Sequence, residues 1–288
     1  MESKPLVVIV GPTASGKTSL SIEIAKRYDG EIICADSRTI YKGMDIGTAK
    51  PSKAEQDGVP HWGLDLVLPG EKFSVFDFKL YAENKIKEIR DRGKIPFLVG
   101  GTGLYTDAVV FDYQFGASPN PEQREILQGL SIEELRKYCE EHNINLPENV
   151  LNKRHLIHAI EQNNVPEKRR VNPIENTIIV GIATDREVLR QRIRERSEQI
   201  FESNVVNEAL MLGNKYGWKS EAMTGNIYPL IRQYSKGEIS IEEAKERFIT
   251  SDWRLAKRQL TWLRRNPFIN WLSLDEAREY LIRALANR

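Results

Sequence analysis

G-P-T-A-S-G-K-T, residues 11–18, follows the apolar run Leu6-Val7-Val8-Ile9-Val10 and precedes a stretch compatible with a helix. The spacing G-x-x-x-x-G-K-T has a mechanical meaning. Gly11 and Gly16 permit a tight turn whose amides surround a phosphate, Lys17 reaches the phosphate oxygens, and Thr18 can place a hydroxyl on Mg²⁺. Thr13, Ala14, Ser15 and Ser19 complete the same cradle. The helix that comes next aims its positive end at the anion, and the β-branched run before the loop supplies the strand that such a loop requires. The alternative is a fortuitous glycine turn. The motif leaves open whether the phosphate belongs to a nucleoside triphosphate or to another diphosphate ester.

Outward from this loop, a first helix is expected over about 16–27, and Glu31-Ile32-Ile33-Cys34-Ala35 reads as a second buried strand delivering Asp36-Ser37 to its end. Residues 38–63 lack regular periodicity and contain Gly43, Gly47, Pro51, Gly58, Pro60 and Gly63, which reads as a long ordered loop. A helix from about Val75 to Arg92 leads into Ile95-Pro96-Phe97-Leu98-Val99, followed by Gly100-Gly101-Thr102-Gly103. Alternating strands and helices argue for a parallel sheet covered by helices. The fold class is therefore α/β, a P-loop nucleoside-triphosphatase-like parallel sheet with flanking helices and a small helical insertion.

Composition changes near Gly116, where Pro119, Pro121, charged helical segments over 122–141 and Pro147 describe the insertion. Strand character returns at Thr177–Ile182, and the rest reads as helical over about 185–216, 240–249, 252–265 and 275–286. The expected divisions are a first part of the P-loop core (1–115), a short helical insertion (116–174), which the resemblance described below makes an RNA contact, and completion of the core with C-terminal helices (175–288).

At 288 residues and 40% hydrophobic content, the chain can bury a substantial core. Cys34 and Cys139 are far apart, which argues against a disulfide framework and for a reducing compartment. No run of about 18 apolar residues occurs, and Met1-Glu2-Ser3-Lys4 leads directly into a strand, so neither a membrane span nor a leader is expected. A cytoplasmic monomer is the working expectation. With 42 Lys plus Arg against 41 Asp plus Glu, the formal charge is only +1, so a nucleic-acid partner has to be argued from local clusters. His61, His142, His155 and His158 have no metal-binding spacing.

Ligands of such sheets gather beyond the carboxyl ends of the strands. Asp36 is placed there as the candidate catalytic carboxylate, its alternative being a helix cap or turn. Gly100-Gly101-Thr102-Gly103 offers close backbone approach and a hydroxyl, although glycines also make ordinary strand-to-helix turns. Among Arg186, Arg190, Arg192, Arg194 and Arg196, the pair Arg192 and Arg196 is four apart and shares a helix face; it can clamp a diphosphate. Acidic neighbours Asp185, Glu187, Glu195 and Glu198 also allow a solvated ion-pair surface. The segment 254–265 places Arg254, Lys257, Arg258 and Arg265 along a cationic stripe, with Gln259 counted among its RNA contacts. A nucleic-acid backbone suits it, the alternative being a bundle helix with a charged outer side. Lys168-Arg169-Arg170 adds a second basic patch.

These pieces together resemble the tRNA dimethylallyltransferases, also called tRNA isopentenyltransferases. The matching blocks are residues 11–18, A-D-S-R-T-I-Y-K-G-M-D-I-G-T-A-K-P at 35–51, V-G-G-T-G-L-Y at 99–105, D-R-E-V-L-R-Q-R-I at 185–193 and L-A-K-R-Q-L-T-W-L-R at 255–264. The resemblance implies transfer of a dimethylallyl group from its diphosphate to N6 of adenosine 37 in the anticodon loop of a tRNA. It implies Asp36, Thr102 and Arg196 as catalytic residues, Arg192 on the diphosphate, Mg²⁺ at Thr18, and an adenosine displaced from its stack before reaction.

The chain departs from the family pattern in a shortened insertion and in Asn152, His155 and His158 where Asp and Arg are usual. It also departs at Asp252-Trp253, where Thr-Arg is usual, and at Ile227-Tyr228, where Gly-Tyr is usual. These changes bear on the RNA surface more than on the pocket. Three alternatives remain at this point: prenylation of a free adenine nucleotide, a P-loop small-molecule phosphotransferase, and a non-catalytic RNA-binding paralogue.

Overall fold

The computed structural model describes residues 4–115, 120–163 and 168–286. Gly116 and Pro119, where the composition shifts, lie outside them. In chain order the elements are β1 (Leu6–Val10), α1 (Lys17–Arg27), β2 (Gly30–Cys34), β3 (His61–Trp62), α2 (Val75–Asp91), β4 (Ile95–Gly100) and α3 (Gly103–Val110). Next come α4 (Pro121–Gly129), α5 (Ile132–Glu141), α6 (Lys153–Gln162), β5 (Thr177–Ile182), α7 (Arg186–Glu202), α8 (Val205–Tyr216), α9 (Tyr228–Ser235), α10 (Ile241–Leu263), β6 (Asn270–Leu272) and α11 (Leu274–Leu285).

The strands form one six-stranded sheet in the order β3-β2-β4-β1-β5-β6, and every pairing is parallel. This is the α/β parallel sheet expected from the sequence. β1 is central because both of its faces are apolar: all five side chains are fully buried, each contributing about 1.5–3 kcal/mol of gross transfer energy. Its register, Val10 beside Gly100 of β4 and Gly181 of β5, brings three strand ends level with the loop after Val10.

The chain divides into two compact units, residues 1–110 with 173–288, and 111–172. The smaller unit packs α4, α5 and α6 around Leu127, Leu135, Cys139, Leu156 and Ile160. Ser131 and Glu134 form a reciprocal cap on α5, and Asn152 caps α6 by accepting from Arg154 N.

Four readings of the sequence need correction. The irregular stretch 38–63 ends in β3, a two-residue parallel partner of β2, too short to produce a period. The final segment is not wholly helical, because β6 pairs with β5. The segments 240–249 and 252–265 are one helix, α10, whose buried stripe Ala244, Phe248, Asp252, Ala256 and Leu263 runs through the expected break. The stretch 185–216 is two helices, α7 and α8, separated at Ser203 and at Asn204, whose φ is 66°. Helices α6 and α9 were not anticipated.

Candidate active site

The larger unit builds the site at the carboxyl ends of β1, β2 and β4. Residues 11–16 turn from β1 into α1 through two left-handed residues, Ala14 at φ 61° and Gly16 at φ 91°. Gly16 occupies the N-cap position and no side chain caps the helix, so the first amides of α1 remain available to an anion. Around the loop the protein adds three long side chains. Gln259 Oε1 accepts from Thr13 N at 2.8 Å, Arg192 Nη1 donates to Ser15 O at 3.2 Å, and Arg196 donates to Thr13 Oγ1. Lys17 Nζ donates to Pro12 O at 3.0 Å.

Burial pushes the Lys17 ammonium down to about 8; Asp36 raises it in part and Arg196 lowers it. The same interactions establish that Lys17, Asp36 and Arg196 share one electrostatic neighbourhood. Asp36 follows β2 in a tight turn, its Oδ1 accepting from Arg38 N at 2.8 Å, so the turn role and the site role coexist. Thr102 stands beside it, its Oγ1 accepting from Ser37 N at 3.1 Å and its own amide donating to Ala35 O at 3.2 Å. The two strand ends approach so closely that a Cβ at Gly100 would collide with Ala35 O, which explains why glycine is needed there. Burial pushes the Cys34 thiol up to about 12, with Asp36 adding to the shift, which favours the inert thiol over the thiolate at this strand end.

The catalytic and phosphate-loop residues inferred from sequence are thus gathered within one unit: Thr13, Ser15, Lys17, Asp36, Thr102, Arg192 and Arg196. Thr18 and Ser19 lie on the exposed first turn of α1. They open onto a groove lined by charged side chains such as Glu23, Lys26, Arg27 and Asp57 and by the apolar Ile22, Ala49 and Pro51. No group of three or more His, Cys, Asp or Glu side chains able to hold a metal occurs among the described residues. The donor set fits Mg²⁺ held by a hydroxyl, substrate phosphates and water rather than an all-protein cage.

The RNA contacts inferred from sequence separate. Arg254, Lys257 and Arg258 are exposed on α10, and Arg265 lies exposed just beyond its end, its guanidinium 5.7 Å from the Trp262 ring centre. Gln259 has another place: it faces the phosphate loop, and a Cβ on Gly101 would collide with its Nε2. A helix carries side chains on all sides, so the run of basic residues concealed an inward-facing glutamine. In the smaller unit Lys168, Arg169 and Arg170 are exposed, with Arg169 Nη1 donating to Tyr113 Oη at 2.9 Å.

Two contributors were missed from sequence. Glu208 of α8 is buried and accepts from Asp45 N (2.9 Å), Ile46 N (2.7 Å), Gly47 N (2.9 Å) and Tyr228 Oη (3.0 Å). It thereby shapes the loop whose Thr48 carbonyl accepts from Arg196 Nη2 at 3.4 Å. Asp252 of α10 is buried at 5% exposure, accepts from Asn226 Nδ2 at 2.8 Å, and faces Arg196 Nη1 at 4.0 Å. Glu208 belongs to no recognisable motif, whereas Asp252 stands where Thr is usual in the resembling family. The expectation that this departure and that at Ile227-Tyr228 bear on the RNA surface more than on the pocket needs correction, since Asp252 faces Arg196 and Tyr228 donates to Glu208.

A profile of IPP transferases matches residues 39–266, and one of isopentenyl transferases matches residues 4–64. The chain belongs to the IPP transferase family. The tRNA dimethylallyltransferase of Thermoanaerobacter sp. (strain X514) is 37% identical, the match covering 96% of this chain and 93% of the relative. That of Acetivibrio thermocellus is 40% identical over 94% and 92%. The solved tRNA isopentenylpyrophosphate transferase from Bacillus halodurans superposes with a TM-score of 0.76 at 34% identity, covering 99% of this chain and 96% of that one. A solved eukaryotic dimethylallyltransferase acting on tRNA, 23% identical, has the same fold at a TM-score of 0.83 over 99% and 80%. As a member of this family the chain is an enzyme of tRNA modification, a prenyltransferase of the tRNA dimethylallyltransferase type.

Proposed function

We propose that the enzyme transfers a dimethylallyl group from dimethylallyl diphosphate to N6 of adenosine 37 in a tRNA, releasing diphosphate. The carrying observation is the position of Asp36, within electrostatic reach of Lys17 and linked through Ser37 to Thr102. An anion-binding loop and a carboxylate therefore face one reaction space. The amides after Gly16, Lys17, Arg192 and Arg196 hold the diphosphate and take up the charge that develops as its oxygen parts from the prenyl carbon. The Thr18 hydroxyl would help hold Mg²⁺, a cation that would supply neutralisation of part of the same charge.

Asp36 orients N6 and accepts its proton as the nitrogen–carbon bond forms, because an aromatic amine is too weak an acid to ionise beforehand. Thr102 fixes the turn that carries Asp36. Gln259 holds Thr13 and so keeps the phosphate loop in shape. The tRNA backbone is assigned to Arg254, Lys257, Arg258 and Arg265, and, on the smaller unit, to Lys168, Arg169 and Arg170. Action as a cytoplasmic monomer belongs to the same proposal.

The test is incubation with dimethylallyl diphosphate, Mg²⁺ and either an anticodon stem-loop carrying A37 or AMP, followed by mass analysis. A prenyl-mass gain on the stem-loop, mapped to A37, is expected. Modification of AMP alone would overturn the RNA acceptor, and no product with either would overturn the reading.

A further inference from the structure

Asp252 places a second carboxylate against the phosphate-holding side chains, and the sequence motifs assign it no task. Its surroundings are specific. Asn226 Nδ2 donates to Oδ1 at 2.8 Å, which fixes the carboxylate, while Oδ2 stops 4.0 Å from Arg196 Nη1. That separation is too long for a hydrogen bond but short for a Coulomb interaction, and Asp252 is only 5% exposed, so little water screens it.

The guanidinium meanwhile donates elsewhere, from Nη1 to Thr13 Oγ1 and from Nη2 to Thr48 O, and its buried Nε has no hydrogen-bond partner among the described residues. Arg196 is therefore oriented by neutral oxygens of the phosphate loop and of the Glu208-bound loop. The carboxylate adds charge rather than aim. Lys17, Arg192, Arg196 and Asp36 gather at the phosphate loop and Asp252 stands behind Arg196; burial raises the Asp252 carboxyl above its ordinary value, while Arg196 and the Asn226 hydrogen bond hold it down in its charged form.

We infer that Asp252 is a charge-balancing residue that acts through Arg196, weakening the hold of the phosphate loop on diphosphate so that the product leaves. This rests on the assignment of diphosphate to that loop. A site facing a highly charged leaving group gains nothing from holding it equally tightly before and after reaction. An anion set behind Arg196 lowers the affinity for the ground-state anions without disturbing the donor geometry at Thr13.

Asp252→Asn keeps the shape and removes the charge. Isothermal titration with magnesium diphosphate should then show tighter binding, by about tenfold, because the charge removed acts on diphosphate from behind Arg196 rather than in contact with it, and the KM for dimethylallyl diphosphate should fall while kcat does not rise. The sign is what discriminates, since a residue needed only to support Arg196 would weaken binding when removed. Asp252→Thr, smaller and also neutral, should shift affinity the same way and carries the test if the asparagine variant does not fold. Unchanged or weaker diphosphate binding in a folded variant overturns the inference alone. Wild-type enzyme that binds no diphosphate, or binds it equally well with Lys17→Ala, overturns the loop assignment as well.

Discussion

Replacing Glu208 by glutamine removes one acceptor from a buried site that uses both carboxylate oxygens. Oε2 takes the amides of Asp45 and Ile46, while Oε1 takes the amide of Gly47 and the hydroxyl of Tyr228. Glutamine has a single carbonyl oxygen. Its best placement keeps that oxygen on Asp45 and Ile46 and turns the NH₂ toward Gly47 and Tyr228. The tyrosine hydroxyl can rotate to accept, but the Gly47 N–H cannot. The cost is one hydrogen bond to a charged acceptor and one orphaned buried donor, about 3 kcal/mol in total.

For a chain unfolding with an m-value of about 3 kcal/mol/M, the urea midpoint should drop by roughly 1 M. Because the same loop presents Thr48 O to Arg196, donor KM should rise together with the loss of stability. Urea unfolding followed by circular dichroism, with donor KM measured on the same preparation, checks both. A midpoint within about 0.2 M of wild type would refute the claim that this carboxylate organises residues 45–47.

The pH profile should report Lys17, whose ammonium burial brings down to about 8. The charged form holds the diphosphate, so kcat/KM for the donor should be level below that value and fall by about tenfold between pH 7 and pH 9; a profile flat to pH 9 would contradict it. Gln259→Ala removes the acceptor from Thr13 N and should raise donor KM while leaving stem-loop affinity within about twofold, with an orphaned amide costing about 1–3 kcal/mol. Filter-binding and steady-state assays separate the two, and a selective loss of RNA affinity would return Gln259 to the outer basic face.

The central part of this fold was readable because its signals are long and redundant. The runs 6–10, 95–99 and 178–182 are apolar and become β1, β4 and most of β5, three of the four inner strands, and the glycine pattern at 11–18 fixes the turn that leaves the first of them. Asp36 and Thr102 could be placed together because strand ends of a parallel sheet converge. The edge strands β3 and β6, of two and three residues, carry too few residues for a period and exist only through pairing with β2 and β5.

Glu208 was not readable because its role is to accept backbone amides, which have no sequence signature. Gln259 stands within a basic run and shares the partner expected of its neighbours when read from sequence. Only the rotation of α10 distinguishes it from Lys257 and Arg258, and that rotation is set by the burial of Phe248, Asp252, Ala256 and Leu263.

The most direct measurement is single-turnover prenyl transfer to an A37 stem-loop by Asp36→Asn, with the dissociation constant of dimethylallyl diphosphate determined alongside. If the carboxylate takes the N6 proton, the rate should fall by about 10²–10⁴ while the donor constant stays within about threefold. A variant that turns over at the wild-type rate, or one whose only defect is lost donor binding, would contradict the assignment of Asp36 as the base.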